Sequence, residues 1–190
     1  MKFVDKIYNQ THEVKQSKFI AYLMPYCEYE IKLQELKIKH SKARHFVVAY
    51  RYFNEFNQIV EHSSDDGEPK GTSGKPSLFV LQGAEIINSA VVIVRYFGGI
   101  KLGTGGLVRA YSDAVNLVLN SVNLLQYTQE IEQTISFEYS NIRLIDYESS
   151  ACGVDVVEKF FDTKIIYKLK ASQENMEKFL NKVDRKIYLP

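Results

Sequence analysis

Long apolar runs are missing from this chain. No stretch approaches the ~18 uninterrupted apolar residues of a membrane-spanning helix, and the opening MKFVDKIYNQTHEVKQSKF has neither the apolar core nor the cleavage site of a secretory leader. No membrane partner is expected, and a cytoplasmic location is. Cysteine is scarce: Cys27 and Cys152 stand far apart and neither has a CxxC partner, which excludes a disulfide framework and a zinc site built from cysteines. The two read as buried thiols. Charge of one sign is lacking too, since 24 Lys and Arg face 23 Asp and Glu for a net +1. That balance excludes the basic footprint of a histone-like nucleic-acid binder, so any polyanion site must be local.

What is present is a globular composition, 45% hydrophobic and 25% charged over 190 residues, a length between one large domain and two small ones. Glycine is distributed unevenly, nine of the ten lying between Gly67 and Gly106. Glycine serves where φ is positive or backbones approach closely, so this zone holds demanding loops and is where function is expected.

Ahead of it, strands are expected near Thr11–Lys15 and across Lys18–Met24, closed by Pro25, then a helix over Glu28–Lys42 and a strand over His45–Tyr52. The run SAVVIVRYF (89–97) is too apolar for a half-exposed strand and reads as a central strand buried on both faces, delivering Arg95 and Tyr96 to its end. After the loop FGGIKLGTGG, the spacing of Leu107, Ala110, Tyr111, Ala114, Val118 and Val122 predicts a long helix ending near Asn123. The pattern then restarts as strand Ile131–Tyr139, helix Ile142–Cys152, strands Val154–Phe160 and Lys164–Lys170, helix Gln173–Asn181 and strand Lys186–Leu189. That β-α-β-β-α-β order is ferredoxin-like and implies an α+β chain of two domains, 1–126 and 127–190. Up to Tyr127 there are 15 basic and 12 acidic residues, and 9 and 11 after it, so the charge asymmetry is mild.

Two segments carry chemistry. In RYFGGIKLGTGGLVRAY (95–111), Gly103, Gly105 and Gly106 precede a helix, where free N–H groups and the positive end of the dipole suit an anion. Arg95, Lys101 and Arg109 stand where they would contact phosphates, and Tyr96, Phe97 and Tyr111 where they would offer stacking faces to bases. The plainer alternative is that the glycines only make tight turns. Neither familiar phosphate motif fits: aligning Gly74-Lys75 with a Walker A loop puts Pro69 and Pro76 in the wrong places, and a dinucleotide fingerprint from Gly103 would need glycine where Val108 stands.

The other segment, EHSSDDGEPKGTSGKP (61–76), sets Asp65, Asp66 and Glu68 among the hydroxyls of Thr72 and Ser73, with Lys75 following. Such a stretch is most simply a turn whose side chains bond their own backbone. Alternatively the loop binds a ligand or a basic protein partner through its acids; no metal is assigned. His45, after Arg44 at a strand start, and His62 are polar assistants or acid/base candidates. No nucleophile–base set is evident, so no catalytic residue and no cofactor is assigned.

DDGEPKGTSGKP (65–76), VVIVRYFGGIKLGTGGLVRAY (91–111), QSKFI (16–20) and ARHFVVAY (43–50) together resemble the YigZ/IMPACT family in order and spacing. The resemblance implies a first domain with the fold of elongation factor G domain IV and some ribosomal proteins, and a second like that factor's ferredoxin-like domain V. Eukaryotic relatives act in translational control, through a kinase pathway absent from bacteria. Departures are small: Lys70, Ser73, Phe97 and Lys101 stand where relatives carry other residues. The expectation is a non-catalytic RNA- or ribosome-binding protein linked to translation; the alternatives are a protein-interaction module using the acidic loop and an enzyme acting on a phosphorylated or nucleotide-like molecule.

Overall fold

The computed structural model describes residues 1–189. The chain divides into two compact units, Met1–Tyr127 and Thr128–Pro190, and its fold is α+β. The first unit runs β1 (Lys2–Phe3), β2 (Tyr8–Val14), β3 (Ser17–Pro25), a 3₁₀ turn, α1 (Tyr29–Lys39), β4 (His45–Phe53), β5 (Ile59–Ser64), α2 (Gly74–Gly83), β6 (Ser89–Tyr96), α3 (Thr104–Asn120) and β7 (Leu125–Gln126). Five strands form one antiparallel sheet in the order β2-β3-β6-β4-β5. Strand β6 is central, as its composition requires. Val91 and Ile93 pack into the cluster with α2 and α3, while Ala90, Val92 and Val94 pack with Leu36 of α1 on the other face. With both faces covered, the strand has no place for a charge before its end, and there Arg95 arrives.

Helix α3 buries Leu107, Ala110, Tyr111, Ala114, Val115, Val118 and Leu119, an unbroken i, i+3, i+4 stripe. Each fully buried Val or Leu of that kind contributes roughly 1.5–3 kcal/mol. Strand β1 pairs with β7, Lys2 opposite Gln126 and Phe3 opposite Leu125, so the two ends of this unit are clipped together.

The sequence carries no clear signal for β5 or α2. Strand β5 is a sheet edge with no fully buried side chain, which leaves no alternating apolar pattern. Helix α2 starts inside GTSGKP, a string of turn formers, and tolerates Pro76 because the first helical turn needs no N–H donor there. Helix α1 ends at Lys39 rather than Lys42, with the His40 N–H closing on the Leu36 carbonyl at 2.8 Å. Cys152 is buried, but Cys27 is exposed.

The second unit consists of β8 (Glu130–Phe137), α4 (Ile142–Cys152), β9 (Asp155–Phe161), β10 (Ile165–Ser172) and α5 (Gln173–Val183), with the three strands antiparallel in the order β8-β10-β9. Gly153 ends α4 in the left-handed conformation at φ 65°. Ser172 caps α5, accepting from the Asn175 N–H at 3.2 Å. The expected strand Lys186–Leu189 is not formed: Asp184–Lys186 is a 3₁₀ turn, and only Tyr188 bridges to Ser136. Helix α5 continues past Asn181 to bury Val183, and the 3₁₀ turn that follows it takes up Lys186.

Candidate functional site

The start of β4, the end of β6 and the N-terminus of α3 surround a cleft of about 810 Å³ within the first unit. Its floor is ionic. Arg95 is 6% exposed and Glu68 8%, and Arg95 Nη1 donates to Glu68 Oε1 at 2.5 Å while the Tyr111 hydroxyl donates to the same oxygen at 2.8 Å. Burial, then the adjacent Glu68 carboxylate, pushes the Tyr111 hydroxyl far above its usual range, so it remains a donor. The Arg95 guanidinium lies over the rings of Phe19 and Phe97, 5.4 and 5.7 Å from their centroids. Its Nε is buried without a hydrogen-bond partner among the described residues.

Arg95 is therefore a buried half of an ion pair, with Nε left unpartnered among the described residues, because a charge delivered at the end of a fully buried strand must be neutralised where it stands. Tyr96 also lines the cleft, but its hydroxyl meets His40 Nδ1 at 2.9 Å and His40 Nε2 meets the Tyr22 hydroxyl at 3.0 Å. Burial, then Lys39, holds His40 below its usual pKa. The free ring at the strand end is Phe97, 56% exposed.

Above this floor the cleft wall carries the exposed cations Lys42, Arg44 and Lys101. Beside them Gly103, at φ 75°, enters α3 without a side-chain cap. The helical ladder begins with the Leu107 N–H on the Gly103 carbonyl at 2.9 Å, so the N–H groups of Thr104, Gly105 and Gly106 precede it. Gly98 has a purely steric reason: an added Cβ would come within 2.0 Å of the Gln16 backbone. Gly105 has none, since nothing lies within 4 Å of where its Cβ would be. Arg109, one turn into α3, is exposed and does not line the cleft.

The acidic loop bonds its aspartates to nearby backbone. Asp65 accepts from the Gly71 N–H (2.7 Å), the Ser73 N–H (3.1 Å), the Ser73 hydroxyl (2.6 Å) and the Gly74 N–H (2.8 Å). Burial alone would raise its pKa, but these four bonds together hold it below the usual carboxylate range. Asp66 accepts the Phe46 N–H at 2.6 Å, and its carbonyl accepts from His45 Nδ1 at 2.8 Å. Thr72 and Ser73 are buried in the same turn. Asp66 nevertheless stays exposed, with Oδ2 as its engaged carboxylate oxygen. His45 Nε2 lies 4.0 Å from Glu68 Oε1, within the cleft. His62 instead stacks on Tyr50 from β5, 5.0 Å between centroids, and Lys75 sits exposed on α2 over Phe79; neither lines the cleft.

Of the expected site residues, the fold thus gathers Arg44, His45, Glu68, Arg95, Tyr96, Lys101 and Gly103. Sequence reading misses Lys42 as a site residue. Lys42 falls within the helix expected before β4, and the one signal for it is its place two residues ahead of Arg44. Among the described residues no three His, Cys, Asp or Glu side chains are grouped to hold a metal ion, and no helix is long and apolar enough to cross a membrane.

Residues 15–119 match the family model described as the Impact N-terminal domain. The chain is 34% identical over 184 residues to an IMPACT family member of Haemophilus influenzae, covering 92% of this chain and 86% of that one. It is 32% identical over 174 residues to the IMPACT family member YigZ of Escherichia coli, covering 90% and 85%. A crystal structure described as that of a hypothetical protein superposes with a TM-score of 0.73 at 29% identity, covering 99% of this chain and 95% of that one. The motifs read from the glycine zone lie inside the matched segment, and the chain belongs to the IMPACT family.

Proposed function

We propose that this protein is a non-catalytic, cytoplasmic RNA- or ribosome-binding protein linked to the regulation of translation, and that it holds RNA phosphate in the cleft of its first unit. The observation that carries this reading is the convergence of Lys42, Arg44 and Lys101 on the uncapped N-terminus of α3. Such a terminus presents unpaired N–H donors and the positive end of a dipole, and three cations around it supply the local potential that a net charge of +1 does not. Phe97 adds an exposed ring on which a base can stack. The link to translation rests on family resemblance, as do the assignment of the first unit to the elongation factor G domain IV fold and of the second to the ferredoxin-like fold. The bridge of Tyr188 to Ser136 supports the latter by setting a fourth segment beside β8.

Ribosome co-sedimentation and single-stranded RNA binding across a salt series test it. The Arg44→Ala/Lys101→Ala variant removes two exposed cations and leaves the buried ion pair intact. Binding should weaken, and the slope of log K against log salt should fall by roughly 0.7 for each phosphate no longer neutralised. Unchanged affinity and slope in the folded variant would refute this use of the cleft.

A further inference from the structure

Resting on that reading, we propose that the cleft takes a terminal phosphomonoester, the phosphate at the end of a nucleotide or an RNA strand, in preference to the internal phosphodiesters of a strand. The site is built in depth. At its floor lies Arg95, 6% exposed, with one guanidinium donor unpartnered. Glu68 neutralises the Arg95 charge but leaves that donor unmet. An internal phosphate carries ester substituents on two sides, which hold it away from a buried wall. A terminal phosphate carries one and can lead with three oxygens.

The charge agrees. Once Glu68 has paired with Arg95, Lys42, Arg44 and Lys101 remain, together with the N–H groups ahead of the α3 ladder. A phosphomonoester brings about −1.5 to −2 charge at pH 7 and three strong acceptor oxygens; a phosphodiester brings one charge and two free oxygens. Phe97 flanks the Arg95 guanidinium and is 56% exposed, which places a stacking face beside the phosphate and fits a nucleotide. Gly105 supplies the remaining observation. The fold demands no glycine there, since its Cβ would meet nothing within 4 Å. Helical Cβ atoms point toward the N-terminus, so glycine keeps the α3 donors uncovered.

The test uses the full chain and fluorescence anisotropy with one oligoribonucleotide carrying a 5′-phosphate, a 3′-phosphate or hydroxyls at both ends, and adenosine monophosphate as competitor. At least one phosphorylated end should bind tenfold or more tightly than the hydroxyl form, with the mononucleotide competing. Direct binding of adenosine monophosphate in isothermal titration calorimetry, without oligonucleotide binding, would also support a terminal phosphate and assign it to a free nucleotide. Equal affinity for phosphorylated and unphosphorylated strands would overturn the proposal while leaving RNA binding in place. Failure of every probe would overturn both. Gly105→Ala, which should fold at least as well because alanine favours helix, should lose the preference for a phosphorylated end; retention of that preference would overturn the placement at α3.

Discussion

Glu68 shows how much a single residue's meaning depends on its neighbours. In the sequence it is the third acid of an exposed-looking turn; in the fold it accepts from Arg95 and Tyr111 at the base of a cleft. Removing one partner of a buried ion pair leaves the other charge uncompensated, at a cost of about 3–5 kcal/mol. Glu68→Gln should therefore lower the stability of the first unit by about 3 kcal/mol in urea unfolding. Tyr111→Phe, which removes one hydrogen bond to a charged acceptor, should cost about 1.5 kcal/mol. The reverse ranking would mean that the tyrosine, and not the ion pair, holds the floor together. None of this is legible in the sequence. Asp65, Asp66 and Glu68 are equally polar in a turn-rich string, and which of them is desolvated is set by a strand end at Arg95 and a helix face at Tyr111.

Elements are legible in proportion to how much apolar surface they bury. Helix α3 and strand β6 announce themselves through period and composition, because each packs one or both faces fully. Strand β5 buries little, and α2 begins among turn residues. What starts α2 is Asp65, whose carboxylate satisfies N–H groups at its N-terminus. The Asp65 carboxyl is held below its ordinary 3.8 in the folded protein. Its contribution is accordingly complete above the unfolded-state value and is lost as pH falls through the lowered folded value. Asp65→Asn should destabilise the protein by about 2 kcal/mol at pH 7, with a gap to the native protein that narrows toward pH 3 in paired thermal unfolding curves. A gap independent of pH would show that the amide's shape, and not the missing charge, is responsible.

For the whole molecule, each unit has a core of its own. The first is closed by the β1–β7 pair and by the Tyr127 N–H on the Met1 carbonyl at 2.9 Å, with Tyr127 also stacked on Phe53. A fragment of residues 1–127 should therefore fold alone, giving dispersed amide resonances, and should keep the phosphate binding proposed for the full chain. A fragment that folds but no longer binds would move the site out of the first unit.

The sequence by itself determined the central strand, the long helix that follows the glycine loop, most elements of the second unit, and the glycine-rich zone that supplies most of the cleft lining. These follow from periodicity and glycine use, which depend on residues within a turn or two of one another. Only the tertiary structure decided which charges are free. Lys42 and Arg44 from before β4, Lys101 from the loop before α3, and the Arg95–Glu68 pair beneath them come from separate segments. The cost of desolvating a charge depends on what other segments place beside it, and no local pattern carries that information.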